Sequence, residues 1–467
     1  MSWSITTPSQ FFKGVRSACQ AFSHGPWCLD HQGALAGHRR RARMSRSRKI
    51  PYLQFFLGLE GFQFEAPFDP SMMVYFRRRL PEKTINDCNE RIVRHGKQQI
   101  AQNKQGDNDD PDDGDGSVPA ALERPSQDAK APKRHQGILL IDATCVPSDI
   151  RYPTDLSLLN EARETTEKLI DEMHKQVRDV FGHKPRTNRR QFWRWPKKKR
   201  PRLSKIRKAI GQQLRHLARN LSSIECSDRL RCKSFGGWSP LVSQAVVRQQ
   251  KILYHSDTRS IQDRIVSLTQ PHIRPIVRGK TRNNVEFGAK ISISVSGDGF
   301  AFLDRLSWDP YNEGEDLKSQ VRTFHRRHGF YPKVVCADQI YRTRSNRALC
   351  MRHGIRLSGP RLGRPKNDPD LVAAEKKIAL DDQRQRNGVE GKFGQGKRRF
   401  GLGLVREKLA ETSGCTIAMN LLVMNLEKLL ELLFVLIAIF QGLLMVCIAS
   451  KRRPTLLISS GLSLATC

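Results

Sequence analysis

Acidic residues are scarce in this chain. Its 46 Asp and Glu stand against 81 Lys and Arg in 467 residues, a formal net charge of +35. So large an excess implies a polyanionic partner, nucleic acid above all, because neutralising phosphates drives such binding. A merely basic protein of the ribosomal kind would carry the charge but would have no need of the carboxylate set described below. Paired cysteines are also missing: the 11 cysteines include no Cys-x-x-Cys pair and their total is odd. That argues against a zinc ribbon or a disulfide framework and fits a reducing cytoplasm. Cys226 and Cys232 have no zinc partners at the usual spacing and read as ordinary thiols. The first 50 residues contain no apolar core with a small-residue cleavage site, so no cleavable signal is expected. With 38% hydrophobic and 27% charged residues, what remains is a soluble globular composition with length for two or three domains.

One stretch organises the chain: Arg386-Asn-Gly-Val-Glu390-Gly-Lys-Phe-Gly-Gln-Gly-Lys397, a carboxylate between two cations. On a helix, Arg386, Glu390 and Lys397 fall within roughly 60° of one another, and Val389, Phe393 and Phe400 form an adjacent apolar stripe. A solvated i,i+4 ion pair would account for Arg386 and Glu390 alone. Gly388, Gly391, Gly394 and Gly396 count against that, since each costs about 1 kcal/mol relative to alanine inside a helix. They suggest close approach by another backbone, from protein or nucleic acid.

Two other segments end on carboxylates. Gly137-Ile-Leu-Leu-Ile-Asp142 and Lys333-Val-Val-Cys-Ala-Asp338 are short apolar runs that read as buried strands, each delivering one aspartate at its C-terminal edge. If the strands are neighbours and the glutamate helix packs beside them, Asp142, Asp338 and Glu390 converge. Three carboxylates that close repel one another unless a cation lies between them, and oxygen-only ligation suits Mg²⁺ or Mn²⁺.

Together these residues resemble the DDE transposases of bacterial insertion sequences, in the group marked by Tyr-x2-Arg-x3-Glu-x6-Lys. Arg386, Glu390 and Lys397 match that signature, whereas its tyrosine position holds Gln383. Pro51 to Phe62 and Pro67 to Leu80 resemble the group's amino-terminal block, and Ile141-Asp-Ala-Thr144 its first catalytic strand. The likeness covers roughly residues 51–430. It implies an α/β fold, with a ribonuclease-H-like mixed sheet that carries a helical insertion and follows a small, mostly helical domain. It also implies metal-dependent DNA cleavage and strand transfer at the ends of the element. Asp142, Asp338 and Glu390 would be the catalytic ligands of two Mg²⁺ or Mn²⁺ ions. Arg386 and Lys397 would grip phosphates, and their loss would leave metal binding unaltered. The implied partners are double-stranded DNA, both terminal inverted repeats and target, and a second copy of the chain in the end complex. The location would be the cytoplasm, at the nucleoid. The alternative is a catalytically inactive copy, or a nonenzymatic basic DNA-binding protein.

In chain order, residues 1–50 read as a poorly structured basic segment, either a nonspecific phosphate contact or an unstructured tail. The ordered helix expected there from the resemblance is missing, which raises a frameshifted or wrongly started copy. Residues 51–97 read as a helical, DNA-binding unit with Phe55, Phe56, Leu59, Phe62 and Phe64 as core and Arg77, Arg78 and Arg79 available to DNA. Residues 98–136 form an acidic and polar linker. The catalytic domain spans 137–409, with a basic helical insertion at about 156–268. Asp155 is its expected helix cap, and Lys197, Lys198, Lys199 and Arg200, in a basic segment interleaved with Phe192, Trp193 and Trp195, its DNA-contacting run. Residues 410–467 form an apolar helix and tail. There Leu432 to Ala449 approaches membrane-spanning length but is read as a buried or dimer-interface helix, with no membrane partner.

Overall fold

A computed structural model describes residues 54, 61–65, 69, 71–105, 135–176, 202–228, 240–256, 260–277, 285–360, 363 and 368–451, of which 73, 101–105, 176, 226–228, 240 and 435–451 are described by backbone alone. Residues 1–50, most of the linker and the run Lys197 to Arg200 lie outside this description, as do Phe55, Phe56 and Leu59.

Six strands form one mixed sheet: β1 (Ile138–Pro147), β2 (Pro275–Val277), β3 (Val285–Ser296), β4 (Ala301–Ser307), β5 (Val334–Cys336) and β6 (Arg356–Leu357). The order is β2-β3-β1-β5-β6, with β4 also on β3. The β1–β3 and β3–β4 pairs are antiparallel, whereas β1–β5 and β5–β6 are parallel. This is the ribonuclease-H-like sheet that the resemblance implies.

Helices cover both faces, which is why β1 reads as a nearly unbroken apolar run. Its alternate residues part to opposite sides. Leu139 and Ile141 pack with Leu317, Val321 and Phe324 of α6 (Leu317–His328) and with Cys350 of α7 (Arg344–Arg352). Leu140 and Val146 join Val389 and Phe393 of α8 (Pro369–Arg399) and Ile417, Leu421 and Met424 of α9 (Ala410–Lys451). Asp142 is in step with Leu140, on the side that α8 covers. Gly329, at φ 77°, ends α6 in the left-handed conformation so that the chain can turn into β5.

The amino-terminal helices α1 (Met72–Arg79) and α2 (Glu82–Gln105) are joined to this core. Ile85 belongs to the α8 face, and Val93 packs with Phe300 and Phe302. The outer edge of β4 would otherwise expose unpaired backbone. Instead Asn86 bonds both the N–H and the carbonyl of Leu303, at 3.3 and 2.8 Å, and Asn425 does the same for Ala301, at 2.9 and 2.7 Å. Beneath them the buried Arg327 donates to Glu90, Ser294 and Asp304. Three features differ from the sequence reading. α2 runs on to Gln105, into the segment expected to be linker, because its apolar side is held by α9. Phe62 and Phe64 are exposed and meet edge to face rather than entering the core. Arg77 is taken up by Glu407 at 2.8 Å, so of the three arginines on α1 Arg78 and Arg79 are the exposed ones.

Between β1 and β2 lie α3 (Asp155–Gln176), α4 (Leu203–Asp228) and α5 (Pro240–His255), with a core of their own around Leu159, Leu217 and Val246. The cap of α3 is Thr154, not Asp155. Thr154 and Ser157 exchange hydroxyl-to-backbone bonds, whereas Asp155 accepts from Arg264 and Gln250. Among the described residues no helix is long and apolar enough to cross a membrane. Most of the run Leu432 to Ala449 lies in the part of α9 whose side chains are outside the description.

Candidate active site

The parallel pairing of β1 with β5 sets Leu140 opposite Cys336. Asp338 lies two residues past the end of β5, near enough to Asp142 to raise its carboxyl; Asp142 is not at a strand end as expected, since β1 continues to Pro147 on its pairing with β3. Asp338 then starts a 3-10 turn, Gln339–Tyr341, and caps it by accepting from the N–H of Gln339 at 2.7 Å. Asp142 accepts from the N–H of Ala143 at 2.8 Å. Burial pushes the Asp142 carboxyl up to about 6; Glu313 and Asp338 push the same way, while the Ala143 N–H and Arg386 pull it back.

α8 supplies the third carboxylate. Val389, Phe393 and Phe400 are buried, as their stripe predicted, which turns Arg386, Glu390 and Lys397 toward the strand ends. The guanidinium of Arg386 bridges two carboxylates: Nη1 donates to Asp338 Oδ1 at 2.7 Å and Nη2 to Glu390 Oε1 at 3.2 Å. Lys397 Nζ donates to Thr144 Oγ1 at 3.0 Å, two residues beyond Asp142 on β1. So the cations expected to reach out to phosphate contact the site itself. A bidentate pair, Arg356 with Asp382 at 2.6 and 2.7 Å, ties α8 to β6.

The helix glycines divide. A Cβ on Gly396 would stand 2.7 Å from Leu402 Cδ1 and 3.3 Å from Met424 Sδ, so this glycine serves close protein packing. Gly388 has ordinary contact with Leu140, and Gly391 has nothing within 4 Å.

Sequence reasoning missed Glu313, Thr144 and Arg342. Glu313 follows β4 in the turn Glu313–Glu315, is paired with Lys290 of β3 at 2.8 Å, and raises the Asp142 carboxyl. Its only sequence signal is a polar turn beyond a strand, which is too common to single out.

The donor set is all oxygen, as a hard divalent cation requires. Asp142 is held above the usual carboxylate range by burial and by two neighbouring carboxylates, and a guanidinium already stands as a cation between the other two members. The chemistry of the residues therefore fits Mg²⁺ or Mn²⁺. Among the described residues no three His, Cys, Asp or Glu side chains are close enough together to hold an ion, and Arg386 stands between Asp338 and Glu390.

No curated protein and no solved structure matches the chain. Residues 335–427 do match a protein-family model, that of the transposase DDE domain. The matched segment runs from β5 through α8 into α9 and includes Asp338, Arg386, Glu390 and Lys397, while Asp142 precedes it. In that segment the chain is similar to DDE transposases.

Proposed function

We propose that the protein is the transposase of a bacterial insertion sequence, cutting DNA at the ends of its element and joining them to a target. What supports this reading is that β1, the turn after β5 and α8 each bring a carboxylate to one region: Asp338 lies near enough to Asp142 to raise its carboxyl, and Arg386 links Asp338 to Glu390. The family match covers two of those three segments.

Asp142, Asp338 and Glu390 would hold Mg²⁺ or Mn²⁺, two ions in the expected mechanism. When bound, the metal supplies Lewis-acid stabilisation of the charge that develops on phosphodiester oxygens. The chain does the rest. The pairing of β1 with its neighbours fixes Asp142. Arg386 neutralises Asp338 and Glu390, and with metal held on those carboxylates its guanidinium would be available to a phosphate. Lys397 holds α8 against Thr144 of β1. Exposed cations on α4, Lys205, Lys208 and Arg215 among them, extend the positive surface along which a duplex can lie. A second copy of the chain would complete the end complex, in the cytoplasm at the nucleoid.

The test is strand cleavage of a duplex carrying the element's ends, with Mg²⁺ or Mn²⁺. Asp142→Asn, Asp338→Asn and Glu390→Gln should each bind that duplex and fail to cut it, losing at least about 10³-fold in rate. A parent chain that binds steeply with salt but never cuts would instead identify an inactive copy or a nonenzymatic DNA-binding protein. Cleavage retained in Asp142→Asn would remove β1 from the site.

A further inference from the structure

A second guanidinium lies beside Asp338. Arg342 follows the turn that Asp338 caps, and its side chain makes no hydrogen bond and no ion pair among the described residues; its Nε is buried without a partner. The place it occupies is built for it. Gly359 has φ +102°, and a Cβ there would overlap the guanidinium carbon and two of its nitrogens. Arg347 fastens both sides of this cradle. Its Nε donates to the carbonyl of Arg342 at 3.2 Å and its Nη1 to the carbonyl of Pro360 at 3.1 Å. Burial opposes the charge of the Arg342 guanidinium, Asp338 and Asp382 favour it, and Arg347 and Arg386 oppose it.

Two guanidiniums thus stand around Asp338, and they differ. Arg386 is bonded to two carboxylates; among the described residues the Arg342 guanidinium is bonded to none. Holding a partly buried cation without a partner is unfavourable, and so is crowding three arginines together. A glycine in the left-handed region and a clamp on two carbonyls are specific devices for keeping it there. The planar fork of donors matches the oxygens of a phosphate, and a nucleic-acid strand brought to Asp338 carries phosphates at regular spacing.

We propose that Arg342, seated on Gly359, grips a backbone phosphate of the DNA strand next to the one presented to Asp338. This rests on the transposase reading and adds to it a binding residue that follows the turn Asp338 caps, outside the glutamate helix.

The experiment is equilibrium binding of a fluorescein-labelled duplex of arbitrary sequence to the full chain, in EDTA, followed by anisotropy across a salt series. Arg342→Ala should weaken binding several-fold and lower the log–log salt slope by about 0.9, the value for one phosphate contact. Gly359→Ala keeps the charge but pushes the guanidinium off its seat, and should weaken binding in the same direction. Arg342→Lys should keep the slope while losing part of the affinity, since an ammonium cannot reproduce the fork. Arg352→Ala, an exposed arginine on α7, should change neither. Parental affinity and slope in Arg342→Ala would overturn the proposal. An equal loss in Arg352→Ala would do the same, because net charge rather than this seat would then be responsible. If Arg342→Ala does not fold by circular dichroism, parental binding by both Arg342→Lys and Gly359→Ala overturns it. A parent chain that binds no duplex even at low salt defeats the transposase reading itself, an outcome distinct from all of these.

Discussion

The two halves of the candidate site are held in different ways. Asp142 stands inside the sheet, in a β1 that pairs with β3 from Leu139 to Pro147 and with β5 on its other edge. Asp338 and Glu390 have side chains 54% and 58% exposed, and a single guanidinium links them. The strand-borne half is therefore fixed in place and strained electrostatically. The other half is solvated and adjustable, because what holds it is an ion pair that another cation or a phosphate can replace. An arrangement of this kind keeps one ligand preorganised while the rest close on their partner.

The largest effect expected from that contrast is on stability. The Asp142 pKa in the folded chain, about 6, lies above its ordinary 3.8, so the folded protein holds this proton more tightly than the unfolded chain does. Its contribution favours folding at low pH, is lost as pH rises from about 4 through about 6, and stays lost above that. Asp142→Asn should accordingly be more stable than the parent at neutral pH, by on the order of 2–3 kcal/mol, and the gain should vanish near pH 4. Urea denaturation without divalent cation measures it, and equal stability at pH 7 would show Asp142 to be unstrained.

Next comes the packing that brings the helix to the strands. Gly396→Ala should cost about 1–3 kcal/mol, because Leu402 and Met424 must move. Thermal unfolding would report this, and a neutral result would mean that α8 can shift without penalty.

A smaller effect probes the adjustable half. Since Arg386 occupies Asp338 and Glu390, Arg386→Ala should lower the Mn²⁺ concentration needed for half-saturation by up to several-fold, as befits partly exposed ion pairs. This departs from the independence of Arg386 and metal that the signature alone suggested. Titration calorimetry without DNA decides it: an unchanged midpoint would restore that independence.

The smallest is at Gly391, which has open space around it. Gly391→Ala should stabilise the helix by less than about 1 kcal/mol. If DNA binding falls in the same variant, the missing side chain is there to let the nucleic acid approach.

Much of this site was legible without coordinates. The apolar stripe of Val389, Phe393 and Phe400 fixed which face of α8 is buried, and helical periodicity then required Arg386, Glu390 and Lys397 to share the neighbouring face. Likewise, two Val- and Ile-rich runs placed strands before Asp142 and Asp338; Asp338 does lie just past the end of β5, whereas β1 continues five residues beyond Asp142, because its pairing with β3 runs on to Pro147. The stripe and the runs are local properties, set by a period of 3.6 or 2 and by which side chains avoid water. What the tertiary structure alone decided is which of these groups meet. The parallel pairing of β1 with β5 brings Asp338 near Asp142; Arg386 turns inward to two carboxylates instead of outward to solvent; Glu313 and Arg342 enter the site from turns; and of the four helix glycines only Gly396 is tightly packed. Such pairings depend on loop closure and long-range register, with partners tens to hundreds of residues apart, and no local pattern in the chain encodes that distance.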